Sequence, residues 1–421
     1  MYPSLRDRLA DAAPVAAVDD DPGAPSDGVD RNVVALGATS FFSDISSEMV
    51  NAVLPLYLML TLGFSPLQFG LFDGAYQGMS GLLRIAGGVV ADRRRRYKEV
   101  AGFGYALSAA CKLGLLASQA WGVTTAMLLV DRTGKGIRTA PRDALISLSS
   151  TKDRLAESFG VHRALDTAGA LLGPVIAFLV LGVAPRAYDA VFVASFCAGL
   201  IGLGVLFCFV QNRTPVVSEA AAKPSWRTAA GLLRIPRFRR LVIAGGLLSL
   251  VTVSDAFIYL VFQRRTGMPS RPFPLLFVGT ALAYLVLAVP LGRLADRVGR
   301  APVFIAGHLV LAATYLILRT AGPGVPTALL LLGLLGTYYA ATDGVLMALT
   351  STALPAELRS SGLAVLTTVT ALSRFAAALG FGLMWTWRGP EGAVAVFLVG
   401  LVVALPVAVR ILFFEPRTVA A

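Results

Sequence analysis

The sequence predicts an all-α membrane protein of twelve transmembrane helices, in two six-helix bundles related by pseudo-twofold symmetry. Three observations predict this. First, 56% of the 421 residues are hydrophobic, only 15% are charged, and the mean hydropathy is +0.71. Soluble domains carry about 45–50% apolar and about 25% charged residues. Second, long apolar runs recur twelve times; at about 20 residues each they use about 240 residues. Third, charged motifs recur about 200 residues apart. A soluble enzyme, a disulfide scaffold and a disordered chain all fit poorly.

The spans fall at 32–62, 68–91, 99–119, 121–149, 156–183, 187–211, 240–262, 273–295, 301–320, 325–350, 358–385 and 391–414. Residues 1–30 form a polar tail with seven Asp and two Arg. It has no apolar core, so it reads as a disordered cytoplasmic segment and not a signal peptide. Residues 31–211 make the first bundle and 240–416 the second, with 417–421 a short tail. The linker 212–239 contains a basic amphipathic stretch, Leu232 to Phe238. It reads equally as a membrane-surface segment or a solvated linker.

An even number of spans puts both ends on one side. If that side is the cytoplasm, its loops hold 18 basic residues against 6 opposite. The positive-inside rule then places both termini in the cytoplasm, in a plasma or inner membrane. Trp121, Trp385 and Trp387 fall at the outer ends, as aromatic-belt residues do. The net charge of +12 lies mainly in short loops, so it orients the chain and implies no nucleic acid. Cys111, Cys197 and Cys208 lie in apolar runs and read as small hydrophobes, with no metal spacing. A monomer embedded in lipid is expected.

The two halves resemble each other. Gly88, Asp92 and Arg93 close the second span; Gly292, Asp296 and Arg297 close the eighth. Ser43-Asp44 matches Ser254-Asp255, and Asp143 matches Asp343. Such a repeat indicates bundles related by an axis normal to the membrane. With these residues the chain resembles the major facilitator superfamily over nearly its whole length beyond the tail. The paired Gly-x-x-x-Asp-Arg loops are the most specific element, although Arg95 replaces the usual glycine of the first. Gly160, Gly169 and Gly173-Pro174 are similar to the fifth-helix motif of drug/proton antiporters, with Ala177 and Phe178 where two glycines usually follow. Arg132-x-x-x-Gly136 is similar to the superfamily's fourth-helix motif.

The resemblance implies alternating access, with Asp92 and Asp296 as cytoplasmic latches. Physically, Gly88 and Gly292 permit close helix approach, and the two aspartates suit helix N-termini. The other reading is that these loops only fix topology. Gly169, Gly173 and Pro174 make a thin, bent face suited to close packing, with or without a role in transport.

Ionisable residues at bilayer depth mark pathways by default. Asp131, Lys135, Arg138 and Arg142 share one face of the fourth span, with Arg132 and Asp143 on the next stripe. Arg132 lies about 16 Å into a core about 30 Å thick. Asp44 and Glu48 share a face of the first span; Asp73 lies on the second; His162 and Asp166 share a stripe of the fifth, beside Arg163. One reading is a structural ion-pair network. The other leaves one or two acids to titrate, with Asp44, Asp166 and His162 as candidates. The second half holds only Asp255, Asp343 and Arg374 at depth. An Asp–Arg pair there leaves one acid over, and Asp255 is expected to face the cavity.

These observations favour a secondary active transporter that exports small organic molecules in exchange for protons. It would need no cofactor; the proton gradient supplies the energy. The alternatives are proton-coupled import or exchange of an anionic metabolite, which the basic fourth span suits, and a non-transporting scaffold or sensor. No phosphate-binding loop, metal cluster or nucleophile arrangement points to an enzyme.

Overall fold

The computed structural model describes residues 29–76, 91, 96–117, 120–151, 154–213, 231–320, 322–354 and 358–413. Gly88, Asp92 and Arg93 lie outside them, as do the 417–421 tail and most of the 1–30 tail and of the linker. The described residues are helical, without strands. Eight helices are long and apolar enough to cross a membrane.

In the first half, α1 spans Arg31–Leu56 and continues as a π-turn, Tyr57–Thr61. The Asp30 side chain caps its start, accepting from the Asn32 amide at 2.7 Å. Helix α2 is described over 66–76. Then come α3 (Tyr97–Ala117), α4 (Trp121–Leu148), α5 (Leu155–Val183) and α6 (Tyr188–Phe209). In the second half, α7 (Pro236–Leu250) and α8 (Asp255–Thr266) are two pieces of one span. They are followed by α9 (Pro274–Val298), α10 (Arg300–Thr320) and α11 (Val325–Thr352). Last is α12 (Arg359–Phe413), two helical arms meeting at Gly389, whose φ of 75° turns the chain back. Counting α7 with α8 as one span and the arms of α12 as two gives twelve spans in two sets of six.

The seventh span departs from the sequence expectation: it starts at Pro236 and breaks over 251–254. The cause is local. Val251-Thr252-Val253 is a β-branched run, and Ser254 takes the extended N-cap conformation of a new helix. The Tyr315 hydroxyl of α10 fills the gap. It accepts from the Val253 amide at 2.7 Å and donates to the Val251 carbonyl at 3.0 Å. Both backbone groups would otherwise be orphaned at membrane depth, where that is costly.

In the first bundle α1 packs on α5 and α6, and α3 on α4 and α6; in the second, α9 and α10 pack on α11, and α7 on α12. Close α1–α5 contact depends on glycine. A side chain at Gly169 would strike the Phe41 carbonyl, and one at Gly173 would press on Ile45 and Met49 backbone. Pro174 follows inside α5.

The bundles meet on the face away from the chain ends. There Gly70 of α2 lies against the Ala378 carbonyl, Gly74 against Phe375, and Gly382 of α12 against the Pro66 carbonyl. Phe69, Phe257, Phe381 and Trp385 stack beside them, with Phe69–Phe257 centroids 4.9 Å apart and Phe257–Phe381 4.8 Å apart. Trp385 is thus buried in this plug and is not a belt residue, unlike the exposed Trp121 and Trp387. On the terminal face, Asp343, Gly344 and Met347 are exposed and line a recess with Thr367, Thr370 and Arg374. Gly292 has open space around it, so close packing does not account for it in this conformation. Asp296 is also exposed, paired with Arg300 at the start of α10 at 2.9 Å and, among the described residues, not with the other bundle.

Candidate functional site

A cavity of about 220 Å³ lies between the bundles. The first bundle contributes Glu48, Asn51, Asp73, Tyr76 and Arg132 among its walls; the second contributes Ser254, Asp255, Phe277, Tyr339 and Arg374. Phe69 and Phe72 also line it, on the side of the aromatic plug. Arg374 belongs to both this cavity and the terminal-face recess. Arg374 thus stands between the two spaces.

On the first-bundle side, α4 supplies a ladder of cations, and each rung meets acids or rings of another helix. Lys112 of α3 reaches Asp131 at 2.6 Å, and Ser108 also donates to that carboxylate. Lys135 lies 3.4 Å from Glu48 and 3.8 Å from Asp44; Arg138 lies 3.5 Å from Asp44 and stacks on Tyr105. Arg142 contacts Asp143 at 2.9 Å and Asp166 of α5 at 3.5 Å, while Arg163 reaches Asp166 at 3.3 Å. His162 Nε2 is 2.9 Å from the Ser40 hydroxyl, which also accepts from Arg142 at 3.3 Å. So Asp44 and Asp166, candidates for titration, each stand between two cations. Cations this deep are tolerable because each has a partner.

Arg132 is held differently. It lies over the Tyr76 ring with its guanidinium carbon 3.6 Å from the centroid, and donates to Asn51 at 3.0 Å. Asn51 also accepts from Tyr76 and donates to Glu48 at 2.9 Å. The Arg132 Nε is buried without an acceptor among the described residues. Stacking on one face and fixing one edge leaves the other edge for the cavity. Nothing in the sequence patterns marked Asn51 or Tyr76; both are ordinary helix residues whose role depends on three helices meeting.

On the second-bundle side, Asp343 and Arg374 pair loosely at 3.6 Å, and the Arg374 Nε has no acceptor among the described residues. Asp255 begins the helix after the break. Its carboxylate accepts from the Tyr339 hydroxyl at 2.5 Å. Among the described residues no basic side chain lies within ion-pair distance of it, unlike Asp44, Glu48, Asp166 and Asp343. The adjoining Ser254 hydroxyl is buried and has no partner among the described residues. His308 stays in the packing, its Nδ1 2.9 Å from the Phe304 carbonyl and its ring against Tyr338. Gly160 has no neighbour where a side chain would stand, so only Gly169 and Gly173 of that motif make close contacts. Among the described residues no group of His, Cys, Asp and Glu could hold a metal ion.

Comparison with known proteins agrees with this architecture. The model of the Major Facilitator Superfamily matches residues 36–277 and 257–421. An uncharacterized MFS-type transporter of Methanocaldococcus jannaschii is 30% identical over 394 residues, covering 91% of this chain and 94% of the relative. An uncharacterized protein of Mycobacterium tuberculosis is 25% identical over 283 residues, 64% of this chain and 66% of its own. The chain belongs to the major facilitator superfamily, and the comparisons indicate a transporter and not an enzyme. Among solved structures, the nucleoside transporter NupG is similar with a TM-score of 0.79 at 14% identity, covering 90% of this chain and 99% of that one. A POT family transporter in complex with 5-aminolevulinic acid gives a TM-score of 0.73 at 15% identity, with 93% and 97% covered. These likenesses concern the fold.

Proposed function

We propose that the chain is a proton-coupled secondary transporter that works by alternating access and exports small organic molecules. It acts as a monomer in the cell membrane, with both termini in the cytoplasm and no cofactor. The observation that carries the coupling is Asp255: a carboxylate on the central cavity, at a helix break, held by one tyrosine hydroxyl and, among the described residues, by no ion pair. A buried carboxylate needs a cation, water or a proton beside it. Solute and proton then compete for it as access alternates. With the terminal face open, solute displaces the proton; with the far face open, a proton displaces solute. The α4 ladder keeps the first bundle rigid while the second rocks.

One observation favours the second reading, import or exchange of an anionic metabolite. Arg132 and Arg374, from opposite walls, each keep a buried Nε without an acceptor. A carboxylate or phosphate could span them.

Everted vesicles with an acid interior and a pH-sensitive dye separate these outcomes. Lipophilic cations, neutral compounds and organic anions are added in turn. Collapse of the gradient by one class in wild type, absent in Asp255→Asn, supports proton antiport and identifies the class. Collapse that survives in Asp255→Asn removes Asp255 from the coupling. Uptake of anions down an inward proton gradient, lost in Arg132→Gln, would establish the second reading.

A further inference from the structure

The central cavity is small and presents both signs of charge. Its volume of about 220 Å³ falls below the about 300–1,000 Å³ of pockets for drug-sized ligands. Arg132 borders it from the first bundle, Arg374 and Asp255 from the second. Each arginine has a partner at its Nη2 end. Arg132 donates to Asn51 at 3.0 Å, and Arg374 lies 3.6 Å from Asp343. In both, however, the Nε is buried and has no acceptor among the described residues. Two donors from opposite walls thus border one space.

The acceptors stand on the second-bundle wall. Tyr339 donates to Oδ1 of Asp255, so Oδ2 remains for a second donor. The Ser254 hydroxyl lines the same cavity, buried and without a partner among the described residues. Asp255 and Arg374 share the cavity, yet the ion pair that Arg374 makes among the described residues is with Asp343. These charges select against a guest of one sign. An organic anion at the arginines faces the Asp255 carboxylate. An organic cation at Asp255 faces two guanidinium groups. Like charges in a small, water-poor space repel strongly. A guest with both signs turns each repulsion into an attraction.

On the reading that solute and proton compete for Asp255, on which this assignment rests, we propose that the solute is a small zwitterion, with an amine and an acid group on one compact frame. The acid group accepts from the Nε of Arg132 and of Arg374. The ammonium donates to Asp255 Oδ2 and the Ser254 hydroxyl. The apolar part lies along Phe72 and Phe277, which also line the cavity. The ammonium then replaces the proton as the partner of the buried carboxylate.

Isothermal titration calorimetry of the purified full chain tests this with two zwitterions of different charge spacing, phenylalanine and 4-(aminomethyl)benzoate. Each is compared with its amide, which keeps only the positive charge, and its N-acetyl form, which keeps only the negative one. At least one zwitterion should bind wild type about ten- to a hundredfold more tightly than both of its relatives, the value of one charge-assisted contact. The preference over the N-acetyl form should vanish in Asp255→Asn. The preference over the amide should fall about tenfold in Arg132→Gln or Arg374→Gln. The wild-type comparison decides alone if the variants are not recovered folded. A singly charged relative that binds as tightly as its zwitterion, or no binding of either zwitterion, overturns the proposal. Calorimetry does not depend on proton coupling, so the two readings fail separately. Gradient collapse in vesicles by a singly charged compound, with neither zwitterion bound, keeps antiport and removes the zwitterion. Preferred zwitterion binding without gradient collapse keeps the zwitterion and removes antiport.

Discussion

The two bundles solve the problem of buried charge in opposite ways. The first bundle pairs it behind its cavity wall: Lys112 with Asp131, Lys135 and Arg138 with Asp44, Arg142 with Asp143 and Asp166. The second-bundle wall leaves it sparse: Asp255 has a tyrosine, Arg374 has a distant aspartate, and the helix is broken just before Asp255. A paired wall is expensive to rearrange, because separating the partners exposes each to a low-dielectric interior. A sparse wall can exchange one small partner for another at little cost. The difference assigns scaffolding to the first bundle and proton and solute exchange to the second.

The largest expected effect breaks the paired wall. Lys112→Ala leaves Asp131 buried with only a hydroxyl, and should destabilise the protein by about 3–5 kcal/mol. Thermal unfolding in detergent reads this directly. Replacing Lys112 and Asp131 together by Met and Leu should recover most of the loss, and failure to do so would mean that the pair does more than balance charge. Asp44→Asn and Asp166→Asn should likewise lower the yield of folded protein while the molecules that fold still couple to protons.

Next in size is the far-face contact that holds the walls in register. Gly382→Val places a side chain against the Pro66 carbonyl. The far face should then fail to close, and transport should fall by about two orders of magnitude with folding retained. A cysteine pair across α2 and α12 at that level should cross-link in wild type and not in the variant. Unchanged cross-linking would show that the plug tolerates the added atoms.

The smallest effect concerns the helix break. Tyr315→Phe removes both hydrogen bonds that bridge it. A loss of about 1–3 kcal/mol is expected, together with faster amide exchange over 251–254. If exchange there is unchanged, water already serves the broken turn and Tyr315 is only a packing residue.

Much of this architecture was legible in the sequence, for physical reasons. Apolar runs must match bilayer thickness, so the described helices fall within a few residues of the expected spans, apart from the break in the seventh; most of the second, 77–90, lies outside the described residues. The α4 stripe was legible because helical spacing puts residues 131, 135, 138 and 142 on one face. What was not legible is which acid meets which cation. Asp44 and Asp255 occupy matching places in the repeat, yet Lys135 and Arg138 approach one and a tyrosine the other. That depends on neighbours from distant parts of the chain. The cavity role of Asn51 and Tyr76 was hidden for the same reason. The break at 251–254 left a signal that length alone overrode: a Val-Thr-Val run followed by Ser-Asp, a strand-like stretch and then a helix cap.

The central claim is that Asp255 gives up its proton when solute binds. The direct measurement is proton release on solute binding by the purified protein, in weakly buffered detergent solution with a pH indicator. The solute is the compound that collapses the gradient in vesicles. The account predicts about one proton released per solute bound in wild type, the same from Asp166→Asn, and none from Asp255→Asn although solute still binds. Equal release from wild type and Asp255→Asn, with release lost in Asp166→Asn, would contradict it and return the coupling to the paired wall.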